Sequence, residues 1–148
     1  MTNLLKRAAE LLMPVLFVLL QAIAPAQAQP VSAKDEKAAQ SVIQAQLAAF
    51  GKDQADKAFS YATPELRQSI ASSEAFMAMV KNSYPVVYRQ SAVVFLKPEL
   101  AGKEIVQRVQ MRDARGANWL AIYSLQQQKD KAWRISGCTV VEDKNLMV

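Results

Sequence analysis

The sequence contains no histidine and only one cysteine, Cys138. Without an imidazole there can be no Ser/His/Asp or Cys/His triad, no histidine-bearing zinc site and no HExxH metalloprotease signature. A lone cysteine excludes an intrachain disulfide and thiolate metal clusters. No cofactor or metal is expected, and no catalytic residue can be assigned. What is present is a chain of 148 residues, 51% hydrophobic and 21% charged, with a net charge of +5. That length suits one globular domain.

The N-terminal residues read as an address. Lys6 and Arg7 precede an apolar run from Leu11 to Ala24, broken only by Pro14 and Gln21, and Ala26-Gln27-Ala28 follows. A basic start, an apolar stretch of about 14 residues and an A-x-A cut are the three parts of a secretory signal peptide. The run is shorter than the about 20 apolar residues that span a bilayer, so cleavage after Ala28 is expected and no stable membrane anchor after it. The expected boundaries are a signal peptide over 1–28, a lead-in and helix start over 29–37, one domain over 38–141 and a tail over 142–148. Without a twin-arginine pair or a cysteine near the cut, a soluble periplasmic or secreted product is expected. Removing 28 residues leaves 16 basic and 12 acidic groups. These bases are scattered, whereas nucleic-acid binding requires a clustered stripe, so no nucleic-acid partner is expected.

Helices are expected first. Ser32, with Asp35 three residues on, opens an amphipathic helix carrying Ala39, Ile43, Leu47 and Phe50 and ending at Gly51. Asp53 reads as the cap of a second helix, Thr63-Pro64 as the start of a third, and Ser72 or Ser73 as the start of a fourth, bearing Phe76, Met77, Val80 and Tyr84 and stopped by Pro85. Then the period becomes two. Four runs, Val86 to Leu96, Lys103 to Arg112, Ala117 to Gln127 and Ala132 to Val141, are separated by turns at Lys97 to Gly102, Asp113 to Gly116 and Gln128 to Lys131. The expectation is an α+β domain in which a long antiparallel meander curls around the helices.

Ala49-Phe50, Asp53, Thr63-Pro64 and the closing Trp133-Arg134-Ile135 resemble the superfamily of nuclear transport factor 2, ketosteroid isomerase and the SnoaL-like cyclases. More narrowly, FMAMV (76–80), YPVVYR (84–89), WLAIY (119–123) and WRISGC (133–138) look like the motifs of a bacterial family known as domain of unknown function 4864. The resemblance spans about residues 38–141. It implies a cone, cystatin-like in outline, with helices packed in a strongly curved sheet and a pocket at the open end. It implies export as well, but no particular activity, since function does not follow from fold.

Candidate ligand-pocket residues are Tyr61, Tyr84, Tyr88, Arg89, Arg108, Trp119, Tyr123 and Cys138. Tyrosines join an apolar body to a polar tip, as a small apolar or amphiphilic ligand requires, and a guanidinium grips a carboxylate in two-pronged fashion. The plainer alternative is that the rings are core and the arginines pair with Glu65, Glu99 or Glu104. Trp119 and Tyr123 share a strand face with Ala121 and Leu125. Both faces of that run are largely apolar, which motivates homodimerisation through the outer sheet face. Cys138 shares a face with Arg134 and Ser136 unless Gly137 marks a bulge that shifts the parity. A cysteine within an apolar strand is more often an inert small hydrophobe than a nucleophile. Isomerase chemistry needs a carboxylate base in an apolar pocket, yet Asp53, Asp56, Asp113 and Asp130 read as caps and turns, and Glu104 as an edge charge. The expected function is therefore non-catalytic binding of a small ligand or a protein partner. A lyase or isomerase of the ketosteroid isomerase type and an assembly module working through the outer sheet face are the alternatives.

Overall fold

Ser32 and Asp35 cap each other as their spacing requires. The Ser32 hydroxyl accepts from the Asp35 amide at 3.1 Å and donates to the Asp35 carboxylate at 2.7 Å, opening α1 (Ala33–Gly51). The computed structural model describes residues 29–145. The expected signal peptide and cleavage site lie outside the described residues. Four shorter helices follow: α2 (Ala55–Ser60), α3 (Pro64–Ser69), α4 (Ser73–Ser83) and α5 (Pro85–Tyr88). The Thr63 hydroxyl caps α3 at the Leu66 amide, with Pro64 in the first turn, and Ser72 caps α4 at the Ala75 amide.

Six strands form one antiparallel sheet: β1 (Gln29–Pro30), β2 (Ala92–Phe95), β3 (Glu99–Ala101), β4 (Glu104–Arg112), β5 (Asn118–Gln127) and β6 (Trp133–Glu142). The order is β1-β3-β4-β5-β6, and β2 pairs with the second half of β4 on the side where β3 pairs with the first. Period-two burial along β4 and β5 puts Ile105, Val109, Met111, Ala121, Tyr123 and Leu125 against the helices. From α1, the buried stripe Ala39, Ile43, Leu47 and Phe50 meets that face. Each fully buried large apolar side chain there contributes about 1.5–3 kcal/mol. Gln107 is the polar exception in this layer. Its amide donates to the carbonyls of Leu96 at 2.6 Å and Arg108 at 2.8 Å, and its oxygen accepts from Gln40 at 3.3 Å, so its burial is compensated.

Three local expectations are corrected. Asp53 does not cap α2. It takes φ 55 in the preceding turn, Gln54 stands at the cap position without a side-chain bond, and the Asp53 carboxylate is engaged elsewhere. The run from Val86 to Leu96 is not one strand. Pro85 presets the first turn of α5, whose backbone bonds Tyr88 N to Tyr84 O and Arg89 N to Pro85 O bury Val86 and Val87 together, where a strand would turn one of them outward. Only Ala92–Phe95 remains extended. Part of the expected turn from Lys97 to Gly102 is strand β3, joined to β4 through a tight turn at Gly102, whose φ of 63 glycine adopts without strain.

Near the start of β6 the pairing slips: Ser124 faces Gly137, Leu125 faces Ile135, and Ser136 is the extra residue. The bulge considered from the sequence is therefore present. It re-aims the strand so that Cys138 pairs with Tyr123 and joins the helix-facing layer instead of sharing a face with Arg134.

Candidate functional site

A cavity of about 210 Å³ opens between α3, α4 and the helix-facing side of β6. Leu66 and Ile70 form one wall, Phe76, Met79 and Val80 of α4 another, and Phe50 and Gln46 of α1 lie behind them. Tyr84, Val87, Tyr123, Ile135, Gly137 and Cys138 complete it, and among the described residues no charged side chain lines it. Phe76 locks the helical side, with its ring 5.6 Å from that of Phe50 and 5.4 Å from that of Phe59. Gln46 is held in place by donating to the Ala58 carbonyl at 3.1 Å.

The polar pole of this cavity is the cross-strand pair Tyr123 and Cys138. The Tyr123 side chain is 1% exposed, and its hydroxyl has no hydrogen bond of ordinary geometry. Gln90 Oε1 and Ser136 Oγ are the other buried side-chain oxygens without partners among the described residues, and neither residue lines the cavity. Burial pushes the Tyr123 hydroxyl well above its ordinary pKa, and its contact with the Cys138 thiol adds to this. Cys138 is exposed as a residue, and its side chain stands in the cavity wall opposite Tyr123 on the neighbouring strand. Desolvation pushes that thiol up to about 12, against a smaller opposing effect from Tyr123. Both groups are therefore neutral near pH 7, a weak donor pair in an apolar chamber.

The eight residues singled out from the sequence divide. Tyr84, Tyr123 and Cys138 come together in the cavity, and the other five lie outside it. The Tyr88 hydroxyl donates to Asp53 at 2.6 Å, Lys81 reaches Asp53 at 2.8 Å and Arg89 approaches it at 3.6 Å. Both cations stand 4.9 Å from the Tyr88 ring. In this exposed cluster, hydrogen bonds from Lys81 and Tyr88 hold the Asp53 carboxyl below its usual range. Arg108 pairs with Glu99. The Trp119 indole donates to Asp113 at 3.0 Å, and the Tyr61 carbonyl accepts from the Ile135 amide at 2.8 Å.

Carboxylates sit away from the cavity. Asp35 accepts from the Trp133 indole at 3.1 Å, Asp56 from the Ser73 hydroxyl, and Glu104 from the Gln126 amide. Asp35, Asp53 and Asp113 are all shifted down by hydrogen bonds, which favours the ionised form rather than a poised base. Among the described residues no three histidine, cysteine, aspartate or glutamate side chains cluster so as to hold a metal ion, and no helix is long and apolar enough to cross a membrane. Sequence reasoning missed Gln46, Leu66, Ile70 and Met79. Gln46 had a readable signal, a polar residue inside the stripe of Ile43, Leu47 and Phe50. Leu66 and Ile70 did not, because only the packing of α3 over β6 makes them a wall.

No curated protein matches the chain. The family described as Domain of unknown function (DUF4864) matches residues 32–148. The chain belongs to that family.

Proposed function

We propose that this member of the DUF4864 family is an exported binding protein, built on the cone arrangement of the nuclear transport factor 2-like superfamily, whose cavity takes a compact, uncharged, largely apolar ligand. The carrying observation is the cavity of about 210 Å³, uncharged among the described residues, with Tyr123 in its wall and a Tyr123 hydroxyl that is buried without a hydrogen bond of ordinary geometry. An apolar cavity of about 150 Å³ holds a benzene ring, so this one takes a single ring or a short branched chain. A buried hydroxyl without a partner forgoes a hydrogen bond, and a ligand oxygen that accepts from it restores one, aided by movement of the neighbouring thiol. An ionised head group would meet no countercharge inside and must stay at the mouth. Among the described residues no carboxylate stands in the wall, which favours binding over isomerase chemistry.

The test is an NMR titration with cyclohexanone, methylcyclohexane and cyclohexanecarboxylate, following the resonances of Tyr123, Cys138 and Phe76. Cyclohexanone is expected to saturate, with the carboxylate at least about tenfold weaker. Tyr123→Phe should erase the preference for the ketone over the hydrocarbon, a difference of about 0.5–1.5 kcal/mol. No saturable shift at these residues with any of the three probes would sink the proposal.

A further inference from the structure

The sheet edges are treated unequally. At one side β1 has two residues and ends in Pro30, and β2 has four and leads into Lys97-Pro98. Short strands, lysine and proline are the usual protections of an edge. At the other side lies β6, ten residues long. Its first part is covered: Ile135 donates to the Tyr61 carbonyl and accepts from the Thr63 amide, both at 2.8 Å.

Past the bulge this cover stops. The Asp143 amide bonds to the Asn118 carbonyl at 2.9 Å, so alternation along the strand turns the backbone groups of Cys138, Val140 and Glu142 away from β5. Among the described residues no hydrogen bond meets these outward groups. From Gly137 to Val141 the edge carries neither charge nor proline, and Val141 is 45% exposed.

We infer that two copies of this chain pair antiparallel along these half-edges, about a two-fold axis at Val140, and merge their sheets. A row of outward amides and carbonyls takes an extended strand, and this segment is complementary to itself. In the Val140-centred register, Val140 faces its own copy, Cys138 faces Glu142, Thr139 faces Val141, and no like charges oppose. About six hydrogen bonds form across the axis. Exposed Val141 is covered by Thr139 of the partner copy. The contact runs along the backbone edge of β6; the Val141 side chain shares the outer sheet face with Val94, which is 55% exposed but lies on β2, beyond β4 and β5, and the pairing does not depend on the cavity being occupied.

The test is sedimentation and light scattering on the protein recovered from bacterial expression of the full chain. A dimer at about 100 µM is expected. Val140→Pro removes an outward amide that bonds to nothing among the described residues, so it should weaken the dimer at least about tenfold while circular dichroism stays unchanged. Val94→Lys, on the outer face, should leave the dimer intact. Val140→Cys in a Cys138→Ser background should oxidise to a covalent dimer, since Cα atoms in such a pair stand about 5.5 Å apart. A monomeric wild-type protein, a dimer broken by Val94→Lys but not by Val140→Pro, or failure of the cross-link would overturn the inference.

Discussion

Two tyrosines mark two kinds of site. Tyr88 is surrounded by Asp53, Lys81 and Arg89, every polar group has a partner, and water reaches all of them. Tyr123 is enclosed, its hydroxyl has no ordinary partner, and its polar neighbour is a thiol that desolvation raises to about 12. The first arrangement is complete without a ligand and acts as a clasp, fastening the turn after α1 to α4 and α5. The second leaves a hydrogen bond unmade in an apolar chamber. Charge and a tyrosine side by side on a surface are therefore a poorer guide to a ligand site than an uncharged cavity with one polar group left over.

The largest expected effect lies on the cavity side. Phe76→Ala removes the ring that packs on Phe50 and Phe59, and should cost about 3–5 kcal/mol in urea unfolding. A loss no larger than that of Tyr88→Phe would mean that the cavity wall is not part of the core. Next comes alkaline pH. The Cys138 thiol is raised in the folded state from 9.0 to about 12, so the folded chain keeps its proton where the unfolded chain releases it. Stability from this group is fully present below about pH 9 and is lost as pH rises toward 12. Cys138→Ala should flatten that decline in unfolding midpoints measured across the range. Labelling by a thiol reagent at pH 8 should be at least about tenfold slower than for a free cysteine, because little thiolate is present.

Smaller effects contrast the hydroxyls directly. Tyr123→Phe deletes an oxygen that bonds to nothing in ordinary geometry, and should change unfolding free energy by no more than about 0.5 kcal/mol in either direction. Tyr88→Phe breaks a 2.6 Å bond to a carboxylate and should lower the thermal midpoint slightly, more so at low salt. The smallest effect belongs to Asp53. Its carboxyl is lowered in the folded state, so its contribution is present above its ordinary pKa of 3.8 and disappears as pH falls through the lowered value. Asp53→Asn should remove that acid-side dependence and little else.

Much of this architecture was legible because its signals are local. Ser32 with Asp35, Thr63-Pro64 and Ser72 are caps defined by neighbours three residues away, and the alternation in β4 and β5 is read one residue at a time. Asp53 misled because an aspartate before a short helix fits a cap equally well whether or not Lys81 and Tyr88 stand nearby to claim it. The break of the valine-rich run at Tyr88 came from Pro85, which starts a helical turn here as readily as it ends α4. The cavity was half legible. Tyr84, Tyr123 and Cys138 were marked by residue type, but whether Cys138 faces the helices depended on one extra residue at Ser136, and the walls from α3 and α4 depended on packing between segments far apart in the chain.

The central claim, that the cavity holds a small uncharged ligand at Tyr123, is tested most directly by native mass spectrometry of the protein taken from the compartment where it accumulates. The wild-type chain should carry a bound mass that denaturation releases as a neutral, largely apolar compound, retained by Tyr88→Phe and lost or weakened in Tyr123→Phe. A wild-type protein bare under the gentlest conditions and silent in the cyclohexanone titration, or a bound mass unaffected by Tyr123→Phe and lost in Tyr88→Phe, would contradict it.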